Sequence, residues 1–139
     1  MQGKSINRYN SFCKSIENLK EAQTEDASDL FVLSGTVQMF CLSFDLSWKV
    51  MKDIIVQYHG ITDFAAGSPR ETLRTAKAVG LITDDIWMEM LRTRNLLAHD
   101  YDGALARKYF SIINHRYYDQ MAELRTRVFS YYCNDETEE

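Results

Sequence analysis

Proline occurs once in this 139-residue chain, at Pro69, and runs of β-branched residues are scarce. Helix interiors are therefore free of their strongest breaker, and the main strand signal is missing. Cysteine is sparse as well. Cys13, Cys41 and Cys133 are far apart and odd in number, and no CxxC or Cys/His pair has zinc spacing. That excludes a disulfide framework and fits a reduced, cytoplasmic setting. No stretch approaches ~18 consecutive apolar residues, so no membrane span is expected. Lys4 has no apolar run behind it, so no signal peptide is expected either. There is no glycine-rich phosphate loop, HExxH, GxSxG or paired-carboxylate metal site, and hence no cofactor or metal is expected. A net charge of −4 speaks against a general nucleic-acid binder.

What the chain does have is a helical period from end to end. Its length points to one domain, 1–132, able to bury roughly two-thirds of its unfolded surface without staples. The acidic residues 133–139 read as a frayed tail. Ile6, Tyr9, Phe12, Ile16 and Leu19 mark a first helix over 5–23, followed by a polar break at 24–29. Leu30, Leu33, Val37, Phe40, Phe44, Trp48, Met51, Ile55 and Tyr58 form a near-heptad seam on a long second helix, 29–59, suited to antiparallel packing. A second apolar edge, Met39, Leu42, Leu46, Val50 and Ile54, demands more than one neighbour, in the chain or in a second subunit. Ser68-Pro69-Arg70-Glu71 reads as a capping box with Pro at the first helical position, opening a short helix over 69–79. Gly80 ends it. A fourth helix is expected over 84–99 and a fifth over 103–132. The fold class is all-α, an up-and-down four-helix bundle with an additional short helix.

Positive charge gathers in the second half. From Arg70 to Arg127 there are ten Lys/Arg against eight Asp/Glu, whereas residues 1–69 carry six against eight. Within that half, Arg94-Asn95-Leu96-Leu97-Ala98-His99-Asp100-Tyr101 places a guanidinium, an amide, an imidazole and a phenol together. Arginine is shaped to fork a phosphate, and histidine moves protons near neutral pH. On a regular helix, residues five apart sit ~140° apart, so Arg94 and His99 do not share a face, while Asn95 and His99 do. They converge on one phosphate only if the helix ends at His99, or if two subunits pair their motifs across a two-fold axis. The structural alternative is that Arg94 pairs with a carboxylate while His99 caps the helix C-terminus. His59 and His115 lack such company.

Asp45 interrupts the apolar second helix. Buried, it needs a partner, and Arg94 or Arg92 across the bundle would serve; exposed, it needs none. Phe40, Phe44 and Trp48 read as core. Tyr117-Tyr118 and Tyr131-Tyr132 could stack on bases, but helix-end packing explains them more cheaply.

Gly35-Thr36-Val37-Gln38-Met39-Phe40-Cys41-Leu42-Ser43-Phe44-Asp45-Leu46-Ser47-Trp48-Lys49 is similar to a second-helix signature G-x-x-Q-x-F-E-x-x-F-E-L-x-W-K. With Ser68-Pro69-Arg70-Glu71, Ala78-Val79-Gly80-Leu81-Ile82 and Trp87-Met88-Glu89-Met90-Leu91, it makes residues 5–130 resemble the HEPN superfamily. More narrowly, they resemble the helical proteins paired with a minimal nucleotidyltransferase. Cys41 departs from the pattern, standing where its first acid belongs. The resemblance implies a bundle that dimerises through its long helices, with a nucleotidyltransferase partner. It also implies a toxin–antitoxin role as a metal-independent ribonuclease acting on RNA through its 2′-hydroxyl. Arg94, Asn95 and His99 would then be catalytic, with Asp45 and Asp100 supporting. Tyr101 would be a site where the partner silences the toxin by nucleotidylation. The alternative is a non-catalytic subunit that holds substrate for the partner transferase.

Overall fold

A computed structural model describes residues 2–100 and 103–137, with side chains up to Cys133. It is all-helical, with no strand among the described residues. The helices are α1 (Gly3–Lys20), α2 (Leu30–Gln57), α3 (Pro69–Ala78), α4 (Ile86–Leu97), α5 (Ala104–Ile112), α6 (Tyr118–Val128) and α7 (Ser130–Thr137). A 3₁₀ turn at Glu21–Thr24 extends α1, and a π-turn at Ile113–Tyr117 joins α5 to α6.

The long α2 is the hub. It packs on α1, α3, α4, α5 and α6, as its two apolar edges require. Phe40, Phe44, Met51, Ile54 and Ile55 are fully buried from α2 alone, against Phe12 and Ile16 of α1 and Met121 and Val128 of α6. By length and composition α2 could also cross a membrane, but those apolar side chains form the bundle core. Local chemistry sets its ends. Asp29 accepts from the backbone N–H of Phe31 at 2.8 Å and of Val32 at 3.4 Å, and Gly60 adopts φ 67° just beyond the C-terminus. Ser68 caps α3 through Glu71 N–H at 3.2 Å, with Pro69 at the first helical position.

The expected fifth helix, 103–132, is the main difference. The backbone widens into the π-turn at 113–117 and breaks again at Phe129. A π-turn inserts one residue into the helical register. Consecutive pairs, Ile113 with Asn114 and Tyr117 with Tyr118, are thereby all buried. Tyr117 stacks on Phe40 with centroids 5.4 Å apart and donates to Glu89 of α4 at 2.8 Å. The backbone carbonyl of Asn114 accepts from Gln23 at 2.6 Å. Tertiary contacts along the turn impose this register.

Three buried phenols give the fold an alkaline limit. Burial pushes Tyr117 from 10.0 up to about 12, and raises Tyr9 and Tyr132 as well. In the unfolded chain these groups lose their protons near pH 10, while the folded chain keeps them, so the unfolded state binds fewer protons in that range. The Tyr117 contribution is fully present below pH 10 and is lost as pH rises through about 12, and those of Tyr9 and Tyr132 are lost at higher pH still. The urea midpoint is expected to fall steadily between those limits and to be flat from these groups below them. A midpoint unchanged at high pH would contradict their burial.

Candidate functional site

Helix α4 carries the motif. Asp84 accepts from Ile86 N–H at 2.9 Å and opens the helix, and Ile86, Trp87, Met90, Leu91 and Leu97 turn inward. Arg94 and Asn95 are left on the flank beside α2 and α3. The helix ends at Leu97, two residues before the expected boundary. His99 N–H and Asp100 N–H close back on Leu96 and Leu97 carbonyls at 3.1 and 3.2 Å, a tightened last turn.

Arg94 crosses to α2 and forks onto Asp45, Nε to Oδ1 at 3.1 Å and Nη2 to Oδ2 at 2.9 Å. Asp45 therefore has its partner, and of the two candidates it is Arg94; Arg92 is exposed. Both side chains of the pair remain about a third exposed, at 31% and 32%. The hydrogen bonds to Asp45 hold the Arg94 guanidinium above even its ordinary value. Beneath them, burial raises the Cys41 thiol.

His99 stands in the turn beyond the helix, exposed, with no side-chain hydrogen bond or ion pair among the described residues. Arg94 faces α2 with its fork occupied. No hydrogen bond joins the Arg94 and His99 side chains within one chain. Asn95 is exposed, with no side-chain hydrogen bond among the described residues. Asp100 has a structural role, accepting from the N–H groups of Leu105 at 3.3 Å and Ala106 at 2.8 Å to open α5. Gly103, at φ 77°, is the residue preceding the first turn of α5. Tyr101 lies outside the described residues. Among the described residues, no three His, Cys, Asp or Glu groups gather as a metal site.

What the flank of α4 does form is a groove of about 300 Å³ between α2, α3 and α4. Trp48, Leu91 and Pro69 give it apolar walls, and Asp45, Lys49, Arg94 and Asn95 give it polar ones. The Lys49 ammonium lies 5.8 Å from the Trp48 ring centroid and has no carboxylate partner among the described residues. With Arg94 balanced by Asp45, the local charge is set by Lys49. This mix of apolar walls and a few convergent polar groups is typical of small-molecule sites. A second groove, about 440 Å³, runs beside Leu30, Gln38, Leu97, Asp100 and Gly103.

Reading the sequence did not single out Lys49 and Pro69 as site residues, because the groove exists only once α3 docks beside α2. It also missed Asp53, buried on α2 and gripped by Arg8 Nη1 at 2.7 and 2.8 Å. The signal was weaker than the one at Asp45, because Asp53 follows Lys52 between Val50-Met51 and Ile54-Ile55.

A family model described as nucleotidyltransferase substrate binding protein like matches residues 5–130. A crystal structure of a protein from Thermus thermophilus resembles this chain with a TM-score of 0.67 and 26% identity, covering 88% of this chain and 98% of that one. No curated protein matches.

Proposed function

Because the chain belongs to the nucleotidyltransferase substrate binding protein-like family, we propose that it is the substrate-holding subunit of a two-component nucleotidyltransferase and does no chemistry itself. The groove between α2, α3 and α4 holds the acceptor. The Trp48, Leu91 and Pro69 walls shield one face of it, Lys49 attracts an anionic group, and Asn95 offers an amide for hydrogen bonding. Asp45 fixes Arg94 as a rigid wall. The partner brings the nucleotide and the reacting centre. Holding the acceptor in place turns a collision between three bodies into one between two, a gain in effective concentration.

One observation carries this reading. The forked donors of Arg94 are spent on Asp45, while His99 stands beyond the helix end with no bond to any described residue. A nuclease site needs both groups on one phosphate.

The second reading is the metal-independent ribonuclease of a toxin–antitoxin pair. It is favoured by the exposed His99 in its Arg94-x4-His99-x-Tyr101 setting. It requires a homodimer in which two chains combine their Arg94, Asn95 and His99 around one RNA phosphate. The partner would then restrain it by nucleotidylating Tyr101, visible as a gain in intact mass after incubation with partner and ATP.

The two readings separate in one experiment. Purified protein and its His99→Ala variant are incubated with cellular RNA in EDTA, and the wild type is mixed with the minimal nucleotidyltransferase proposed as its partner. We expect no cleavage by either protein and a stable complex with the partner. Cleavage by the wild type that disappears in His99→Ala would replace the substrate-holding reading with the nuclease.

A further inference from the structure

The chain leading into α2 and through most of that helix is unusual in its charge. From Glu21 to Trp48, 28 residues contain no Lys or Arg; four acids, Glu21, Glu25, Asp26 and Asp29, precede α2, and the fifth, Asp45, is already paired with Arg94. Phe31 projects from the first turn of α2 at 88% exposure. Asp29, the helix cap, bonds the Phe31 N–H and so fixes the base of that side chain. Phe31, Gly35 and Met39 recur every four residues and share one face. With the 3₁₀ turn at 21–24 they enclose a groove of about 320 Å³, whose rim carries the Glu21 and Glu25 carboxylates. No cation lines it, and neither rim carboxylate is ion-paired among the described residues.

We propose that this groove docks an apolar, basic segment of the partner subunit, with an apolar side chain seated over Gly35 beside Phe31, and Lys or Arg reaching Glu21 and Glu25. The inference rests on the two-subunit reading above for the partner's identity; the chemistry of the groove does not. An exposed aromatic beside a small residue is an anchor-and-pocket arrangement, and unpaired carboxylates at its edge select cations. A polyanion is repelled. A second copy offering its own α2 face brings no Lys or Arg over those 28 residues, so it supplies nothing to the rim from that face.

The test uses two probes. Isotope-labelled protein is titrated with an amphipathic helical peptide of leucine and lysine, and with a twin in which glutamate replaces lysine. The lysine peptide is expected to move the amide signals of Phe31, Gly35 and Met39, and the glutamate twin to leave them in place. Phe31→Asp is expected to weaken the lysine peptide about tenfold or more. The pair Glu21→Lys with Glu25→Lys is expected to reverse the preference between the twins. The reversal is a readout that misfolding cannot mimic. Absent binding, equal binding of both peptides, or shifts on another face would overturn the proposal.

The second probe is the minimal nucleotidyltransferase proposed as the partner, bound to wild type and to Gly35→Arg. A Cβ at Gly35 meets nothing within 4 Å, and Arg favours a helix more than Gly does; a helical spectrum and unchanged melting temperature check the variant's fold before it is used. Loss of the complex in Gly35→Arg supports docking here. Equal binding sinks the docking site while leaving the two-subunit reading intact. No binding to the wild type sinks the two-subunit reading, and the peptide titration alone then decides the groove. Sedimentation showing self-association abolished by Gly35→Arg would assign the face to a second copy and end the proposal.

Discussion

Arg8→Ala is expected to destabilise the bundle by about 3–5 kcal/mol, the cost of leaving a buried charge without its counter-ion. Asp53 is 6% exposed on the inner face of α2, and one Arg8 amino group holds both of its oxygens at 2.7 and 2.8 Å. The pair ties α1 to α2 beside the Tyr9–Tyr132 stack, whose centroids are 4.1 Å apart. Removing the guanidinium leaves a side chain only 7% exposed, its carboxylate without a counter-ion. For a chain of this length the melting temperature should drop by about 10–20 °C. The reverse experiment separates burial from pairing. Arg8→Met with Asp53→Leu removes both charges at once and should restore most of the loss, because apolar replacements of a buried pair are often neutral or stabilising. Thermal and urea unfolding of the single and double variants measure it. A single variant within about 0.5 kcal/mol of wild type would mean that Asp53 is solvated.

Asp53 and Asp45 show how much of the fold and site is legible in the sequence. Helix identities follow from period and caps: the Asp29 cap, the Ser68-Pro69 start, and Gly60, Gly80 and Gly103 all work locally, within one turn of chain. Asp45 stood out by the same logic, since an acid in an apolar seam must find a cation or water. Asp53 follows Lys52 between Val50-Met51 and Ile54-Ile55, a weaker signal, and its partner on α1 becomes evident only when α1 and α2 are packed. The π-turn at 113–117 has no local signature, because Gln23, Phe40 and Glu89 impose it from three other elements. The early end of α4 is similar. Leu97, Ala98 and His99 contain no breaker, and the chain turns there because Asp100 is drawn onto the N-terminus of α5. That shift of two residues decides where His99 stands.

Arg94 and His99, equal partners in the motif, are expected to behave as opposites. Arg94→Ala and Asp45→Ala should each cost about 1–2 kcal/mol, the range for a charge-assisted hydrogen bond that is only partly desolvated. The double variant should cost little more than either single one, giving a coupling of about 1 kcal/mol. Arg94→Lys should not recover it, because a point charge cannot reproduce two parallel bonds from Nε and Nη2. His99→Ala should leave stability within about 0.5 kcal/mol, since the imidazole is exposed and bonds to nothing described. Denaturant unfolding of the four variants reads all of this. In partner-supported nucleotide transfer, Arg94→Ala and Asp45→Ala should both raise the acceptor KM, because each dismantles the same wall of the groove, while His99→Ala should leave KM unchanged. If His99→Ala instead abolishes an activity while the Arg94–Asp45 coupling vanishes, the guanidinium is free in the working assembly and the substrate-holding reading gives way to catalysis by both motif residues.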